Sequence, residues 1–443
     1  MNIEISPKLK QEFNKNWKKI TADSAYQIPE TIEDFKSLGP FPYFQIENIW
    51  VFPKDHTSEI IQHFTKLIHE IVGNDLFTWS TVYEAIRDEI KLYFTTQPSQ
   101  TNEWHLTHLV NSILSKKKKR LFVRSISGLK IEDFDGINSK NWQIIPFAES
   151  EIVKLSEQES GDKKWKSHVK DYLTKNFKDK ICLLIETEGD LETAKNKAHN
   201  IASFVVNTLR YFICIHISQT GRAHDVGIKL DAPNFGRGLN AFSVDLENMS
   251  STMFGYGDKF RQEYPLSKEH FNIMKSQWGA ENLWELINKN EPNDLESSIM
   301  SSITWLGDAH QEEDINSSYV KYWIAIEALL TGHKKDDINT RIKKTIPIMI
   351  SQFSERLPTK TEVDKAYELR CKVVHCGTKD VVKLSDLNKV CAWATQCLSV
   401  CIHLSDIGYT SRDQIEFQVN RINKAKQNGP TNGCSGCGER RRR

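Results

Sequence analysis

No apolar run in this 443-residue sequence approaches the roughly 18 residues needed to cross a bilayer, so no segment reads as a membrane span. The N-terminus, MNIEISPKLKQEFNKNWKK, has neither the short apolar core nor the small-residue cleavage site of a secretory signal. A cytoplasmic location and no membrane partner are therefore expected. Charge of one sign is missing as well: 59 basic residues face 58 acidic ones, leaving +1, so no global field points to nucleic acid. There is no internal repeat and no GxxxxGK[ST] loop, and FGYGDKF lacks the strand-loop-helix context that phosphate binding requires. The nine cysteines form an odd set without a disulfide framework; Cys371, Cys391, Cys397 and Cys401 sit in helical patterns, as small buried thiols do. CSGC at 434–437 has the spacing of half a zinc knuckle, but no second pair follows and the nearest histidine is His403 in a helix. No metal and no cofactor are expected.

What is present is the balance of a folded chain, 39% hydrophobic and 26% charged, and a length that suits two or three domains. Residues 1 to about 115 mix short helical patterns with turn signals such as LGPFPYF. RLFVRSISGLKI alternates in part and NWQIIPF is short, aromatic and β-branched, so both are predicted strands. KICLLIE is a continuous apolar run of strand length, which places it in the middle of a sheet. Behind it, Asp190 is a candidate N-cap, and Ala194, Ala198, Ile201, Val205, Leu209 and Phe212 recur at three and four residues, predicting a long helix laid on that sheet. VGIKL and AFSVDL are further strand candidates on either side of the turn-rich DAPNFGRGLN.

After FRQEYPLSKEHF the pattern becomes helical. Leu295, Ile299, Ile303, Leu306 and His310 share one face of a first helix, and Val320, Trp323, Ile324, Glu327 and Leu330 that of a second. TRIKKTIPIMISQF is a third, open to a kink at Pro347. TEVDKAYELRCKVVHCG is a fourth, opened by Thr361 or Asp364 and closed by Gly377, and LSDLNKVCAWATQCLSVCIHL is a fifth. The fold class is thus α+β: an N-terminal α+β region at 1–264, forming one unit or two subdomains, an all-α helical bundle at 265–410, and a tail at 411–443 that is disordered at its end. KKKKR at 116–120 lies between a helix and a strand and reads as a solvated loop, with RNA-backbone binding as the alternative. His105, His108 and His199 lie in helical patterns without partners at ligand spacing and read as structural.

ELRCKVVHCG carries what chemistry the sequence offers. Arg370 and His375 are five residues apart, roughly 140° on an ideal helix, but His375 falls in the last turn, where unwinding into a cap can swing it round. The helix dipole favours a cation at that end. An imidazole that moves a proton beside a guanidinium fork that holds phosphate oxygens suits phosphodiester chemistry. The plain alternative is an arginine paired with Glu368 or Glu327 beside a capping histidine.

Arg370-Cys-Lys-Val-Val-His375 resembles the Arg-x4-His motif of the HEPN superfamily (higher eukaryotes and prokaryotes nucleotide-binding). The series SSITWLGDAH, an acidic loop, VKYWIAIEALL and YELRCKVVHCG resembles its Apea-like branch over residues 267 to 410. That resemblance implies a metal-independent endoribonuclease acting on RNA such as tRNA or phage and host transcripts. It implies a homodimer through the bundle, with two Arg-His pairs lining one cleft and a 2',3'-cyclic phosphate as product. Carried over, His375 is the general acid or base and Arg370 steadies the phosphorane, with Glu327 and Cys371 as orienting candidates. Cys371 departs from the polar residue usual after that arginine. The branch further implies an antiviral, abortive-infection or toxin-like role, with the N-terminal region responding to a trigger. Two alternatives remain: a non-catalytic nucleotide-binding or dimerisation module, and a CRISPR-type ribonuclease switched on by a cyclic oligonucleotide.

Overall fold

The computed structural model describes residues 7–22, 25–27, 44–46, 49–96, 102–218, 228–230, 241–245, 247, 251–254, 263–312, 314–331, 338–351, 357–376 and 381–427. Among the described residues, the helices that open the chain are α1 (Pro7–Ile20), α2 (Asp55–Val72), α3 (Trp79–Thr96) and α4 (Asn102–Ser115). They enclose a core of their own around Trp17, Phe64, Ile86 and Leu109, edged by the small antiparallel sheet of β1 (Tyr26–Gln27), β3 (Ile49–Pro53) and β2 (Phe44–Ile46), in that order. LGPFPYF lies almost wholly outside the described residues.

The central sheet is built on β4 (Lys118–Ser127) and β8 (Ile181–Gly189), flanked on one side by β7 (Trp142–Pro146) and β6 (Ile137–Asn138) and on the other by β10 (Ala241–Asp245) and β11 (Ser251–Phe254). β9 (Lys229–Leu230) adds to the end of β4, and every pairing in this sheet is antiparallel. KICLLIE takes the predicted inner place between β4 and β7 because both of its faces are covered. Cys182 and Leu184 point to α5 (Glu149–Gln158) and α6 (Lys163–Phe177), where Ile152, Val169 and Phe177 form a second core; Leu183 and Ile185 point to the opposite face. The predicted solvated loop at KKKKR is in part strand, since Lys118, Lys119 and Arg120 pair with Gly189, Glu188 and Thr187. Lys117 and Lys118 meet Glu188 and Glu247 at 3.0 and 3.1 Å.

The 28-residue α7 (Leu191–Ser218) lies on that opposite face. Asp190 caps it as predicted, accepting the Thr193 N–H at 2.7 Å, and also accepts the Thr78 N–H at 2.8 Å and the Thr78 hydroxyl at 3.0 Å, which ties α7 to the first four helices. Ala194, Ala198 and Ala202 are buried, small enough to let the helix approach the strands. Its far side meets the C-terminal helices, so the same apolar cluster runs from Phe122 and Leu183 through Leu209 and Phe212 to Leu306, Trp323 and Leu398. Sequence position 264/265 therefore divides one continuous core. Beside it, β12 (Tyr264–Leu266) runs parallel to β5 (Leu129–Ile131), to which Gly128 turns the chain at φ +76°.

The C-terminal part comprises α8 (Lys268–Gln277), α9 (Ala280–Leu286), α10 (Asp294–Gln311), α11 (Ile315–Leu330), α12 (Ile338–Ile350), α13 (Lys360–Cys376), α14 (Leu384–Asp406) and α15 (Arg412–Gln427). The predicted face of α10 is buried throughout. That of α11 is only partly the predicted one: Trp323 and Leu330 are buried, but with Tyr319, Tyr322, Ile326 and Leu329, while Val320, Ile324 and Glu327 are half-buried. α11 packs on α10, α13 and α14, so its apolar residues run most of the way round and blur the stripe. α12 continues past Pro347 to Ile350. The segment after 411 is not all tail, because α15 buries Ile415 and Val419. Arg412 secures it, donating to Asp294 at 2.6 Å and to the carbonyl of Thr331, at the start of α10 and the end of α11. CSGC and ERRRR lie outside the described residues.

Candidate active site

α13 starts earlier than the sequence suggests. Thr359 is its cap, with the Glu362 N–H donating to the Thr359 hydroxyl at 3.1 Å and the Thr359 N–H to the Glu362 carboxylate at 2.8 Å, a reciprocal box. Thr361 is exposed and Asp364 pairs with Lys343 on α12 instead. Only Val363 of α13 is fully buried, so this is an outer helix held by a few specific contacts. The Tyr319 hydroxyl of α11 donates to the Ala366 carbonyl at 2.7 Å, and Trp323 meets the Tyr367 ring edge-on at 5.2 Å.

These contacts set Arg370 against Glu327. One terminal nitrogen, Nη2, lies 3.2 Å from both carboxylate oxygens, with hydrogen-bond geometry to Oε2 alone. The pair is mostly shielded, 17% and 18% exposed, which strengthens it relative to a surface pair. Arg370 Nε and Glu327 Oε1 are shut off from solvent without a hydrogen-bond partner among the described residues. The guanidinium also lies over the Tyr367 ring, 5.6 Å from its centre.

His375 is exposed in the last turn of the same helix and makes no hydrogen bond or ion pair among the described residues. The structure thus brings Arg370 and Glu327 together and places His375 at the surface. Cys371 is half-buried and Cys376 exposed, Glu368 is exposed and is not the arginine's partner, and Gly377 lies outside the described residues.

Tyr367 escaped the sequence reading, although its spacing of three from Arg370 puts both on one helix face. Burial, and then the charge of Glu327 against the opposing pull of Arg370, push its hydroxyl up to about 12. Trp323 and Tyr319 owe their place here to packing across helices, which no single-helix pattern reveals.

Other candidates resolve differently. His105 and His108 share a partner, the buried Glu89, at 2.6 and 2.5 Å, and His199 meets Arg124 at 2.9 Å. No cluster of three or more metal-binding side chains occurs among the described residues, nor is any of their helices long and apolar enough to cross a membrane. Two cavities of about 420 and 510 Å³ adjoin the 287–290 connection, away from Arg370. Their shared Lys289 is already held by Glu296 at 2.7 Å, which leaves the smaller acidic through Glu285 and Asp406, and the larger sets Lys119 and Lys197 against Glu186 and Glu188. Comparison with protein-family models, with curated proteins and with solved structures gave no match.

Proposed function

We propose that the chain is a metal-independent endoribonuclease that acts as a homodimer and serves as the effector of an antiviral or toxin-like system, with residues 1–264 regulating it. In this reading His375 accepts the proton of a ribose 2'-hydroxyl, the freed oxygen attacks the adjacent phosphorus, and the 5'-oxygen leaves with a proton. A 2',3'-cyclic phosphate and a 5'-hydroxyl result. Arg370 stabilises the charge that builds on the phosphorane oxygens. One observation carries the reading beyond the motif: Arg370, part of whose side chain still reaches solvent, spends a single nitrogen, Nη2, on its anchor Glu327, and an exposed imidazole sits at the end of the same helix. An anchored guanidinium with a donor to spare suits a phosphate oxygen.

The ion pair also supports a second reading, in which Arg370 is structural and the bundle only binds or dimerises. The cyclic-oligonucleotide alternative gains nothing from the sheet, whose antiparallel ladders provide no parallel strand-helix-strand crossover. Purified protein incubated with total RNA or tRNA in EDTA separates the classes. Arg370→Ala and His375→Ala are each expected to lower cleavage at least a hundredfold; cleavage untouched by both substitutions would remove the two residues from the mechanism.

A further inference from the structure

An arginine side chain has four rotatable bonds, and a phosphate clamp works only if its planar fork is held in one orientation. Glu327 alone cannot do this. A single nitrogen placed between two oxygens leaves the guanidinium free to pivot about that contact. The second constraint is Tyr367, one turn earlier on α13, whose ring lies under the guanidinium at 5.6 Å. Tyr367 is itself fixed from below, because Trp323 meets it edge-on at 5.2 Å and Trp323 is wedged against Trp393 of α14 at 6.3 Å. An aromatic column thus rises from the bundle core and ends beneath Arg370.

We propose that Tyr367 is the positioning residue of this site: its ring fixes the plane of the Arg370 guanidinium, so the arginine meets a scissile phosphate in one orientation. This assignment rests on the reading of Arg370 as the phosphate-binding group. Tyr367 touches no reacting atom in this scheme. Its loss should slow the chemical step and leave RNA affinity nearly unchanged.

Two variants isolate the ring: Tyr367→Phe keeps it and removes only the hydroxyl, and Tyr367→Leu removes both. With RNA in EDTA, Tyr367→Leu is expected to lower kcat tenfold to a hundredfold with KM within about twofold, and Tyr367→Phe to lower it only a few-fold. A second readout needs no activity. In protein labelled with 15N-arginine, the Nε–Hε resonance assigned by its loss in Arg370→Ala should be displaced by the ring current, and its hydrogen should exchange slowly. Tyr367→Phe should keep the displacement; Tyr367→Leu should abolish it and speed exchange at least tenfold. An Arg370 resonance unchanged in Tyr367→Leu overturns the proposal, as does an unchanged kcat in an active enzyme. If the parent protein cuts no RNA, the nuclease reading fails by itself, and the resonance still decides whether Tyr367 holds Arg370.

Discussion

At the scale of single residues, hydroxyls do much of the joining in this bundle. Tyr319 is fully buried and its proton holds the Ala366 carbonyl, so α11 is tied to α13 by a group that can ionise. Burial pushes that hydroxyl from 10.0 to about 12. An acid whose folded value is raised contributes stability that is complete below the unfolded value and is lost as pH climbs through the folded one. Between pH 10 and 12 the protein should therefore lose about 2–3 kcal/mol at this site, at ~1.4 kcal/mol per pH unit. Denaturant unfolding followed by circular dichroism at pH 8, 10 and 11 should show a flatter decline in Tyr319→Phe; parallel profiles would exclude the assignment. Sequence alone could place Arg370 and His375, because they are neighbours in one helix. It could not rank Glu327 above Glu368, since that choice depends on which helix lies alongside.

At the scale of elements, caps and faces were unequally legible. α10 shows a clean stripe because its apolar face is set against a polar one, α7 shows one only at its start because it is buried all round from Phe204 to Cys214, and Asp190 was readable as a cap from its place before an apolar repeat. α11 hid its face because helices pack on several of its sides, and α13 hid its start because Thr361 and Asp364 offered equally good oxygens too late in the sequence. Asp190 supports a second expectation. Burial alone would raise its carboxyl, but hydrogen bonds from Thr81, Thr78 and Thr193 outweigh burial and hold it below the usual range. A depressed acid contributes stability above its unfolded value that is lost as pH falls through the folded one. Asp190→Ala should thus cost about 1–3 kcal/mol near neutral pH, and the gap to the parent should narrow in acid. Thermal melts of both proteins at pH 7 and pH 3 provide the test; a gap that persists unchanged in acid would count against it.

At the scale of the whole molecule, the α+β and helical parts share a seam. Asn207 and Arg210 of α7 form it with Gln311 and Gly307 of α10: Arg210 donates to Gln311 at 2.6 Å, to Asn207, and to the Ile228 carbonyl at 2.7 Å. A methyl group at Gly307 would sit 2.3 Å from the Asn207 amide oxygen, so only glycine allows this approach. Gly307→Ala should lower stability by roughly 1–3 kcal/mol through overpacking, and both parts should still melt together. A variant with an unchanged melting temperature would show that the seam yields. The seam also sets a timetable during synthesis. Cys214, on the bundle-facing side of α7, meets His310 of α10 only after 96 further residues have been made. At roughly 5–20 residues per second, that leaves the apolar flank of α7 bare for about 5–20 s on the ribosome. Nascent chains stalled before α10 should bind holdase chaperones more strongly than those stalled after α11, making the newborn sheet a client of the cell's folding machinery until its own helical bundle arrives to cover it.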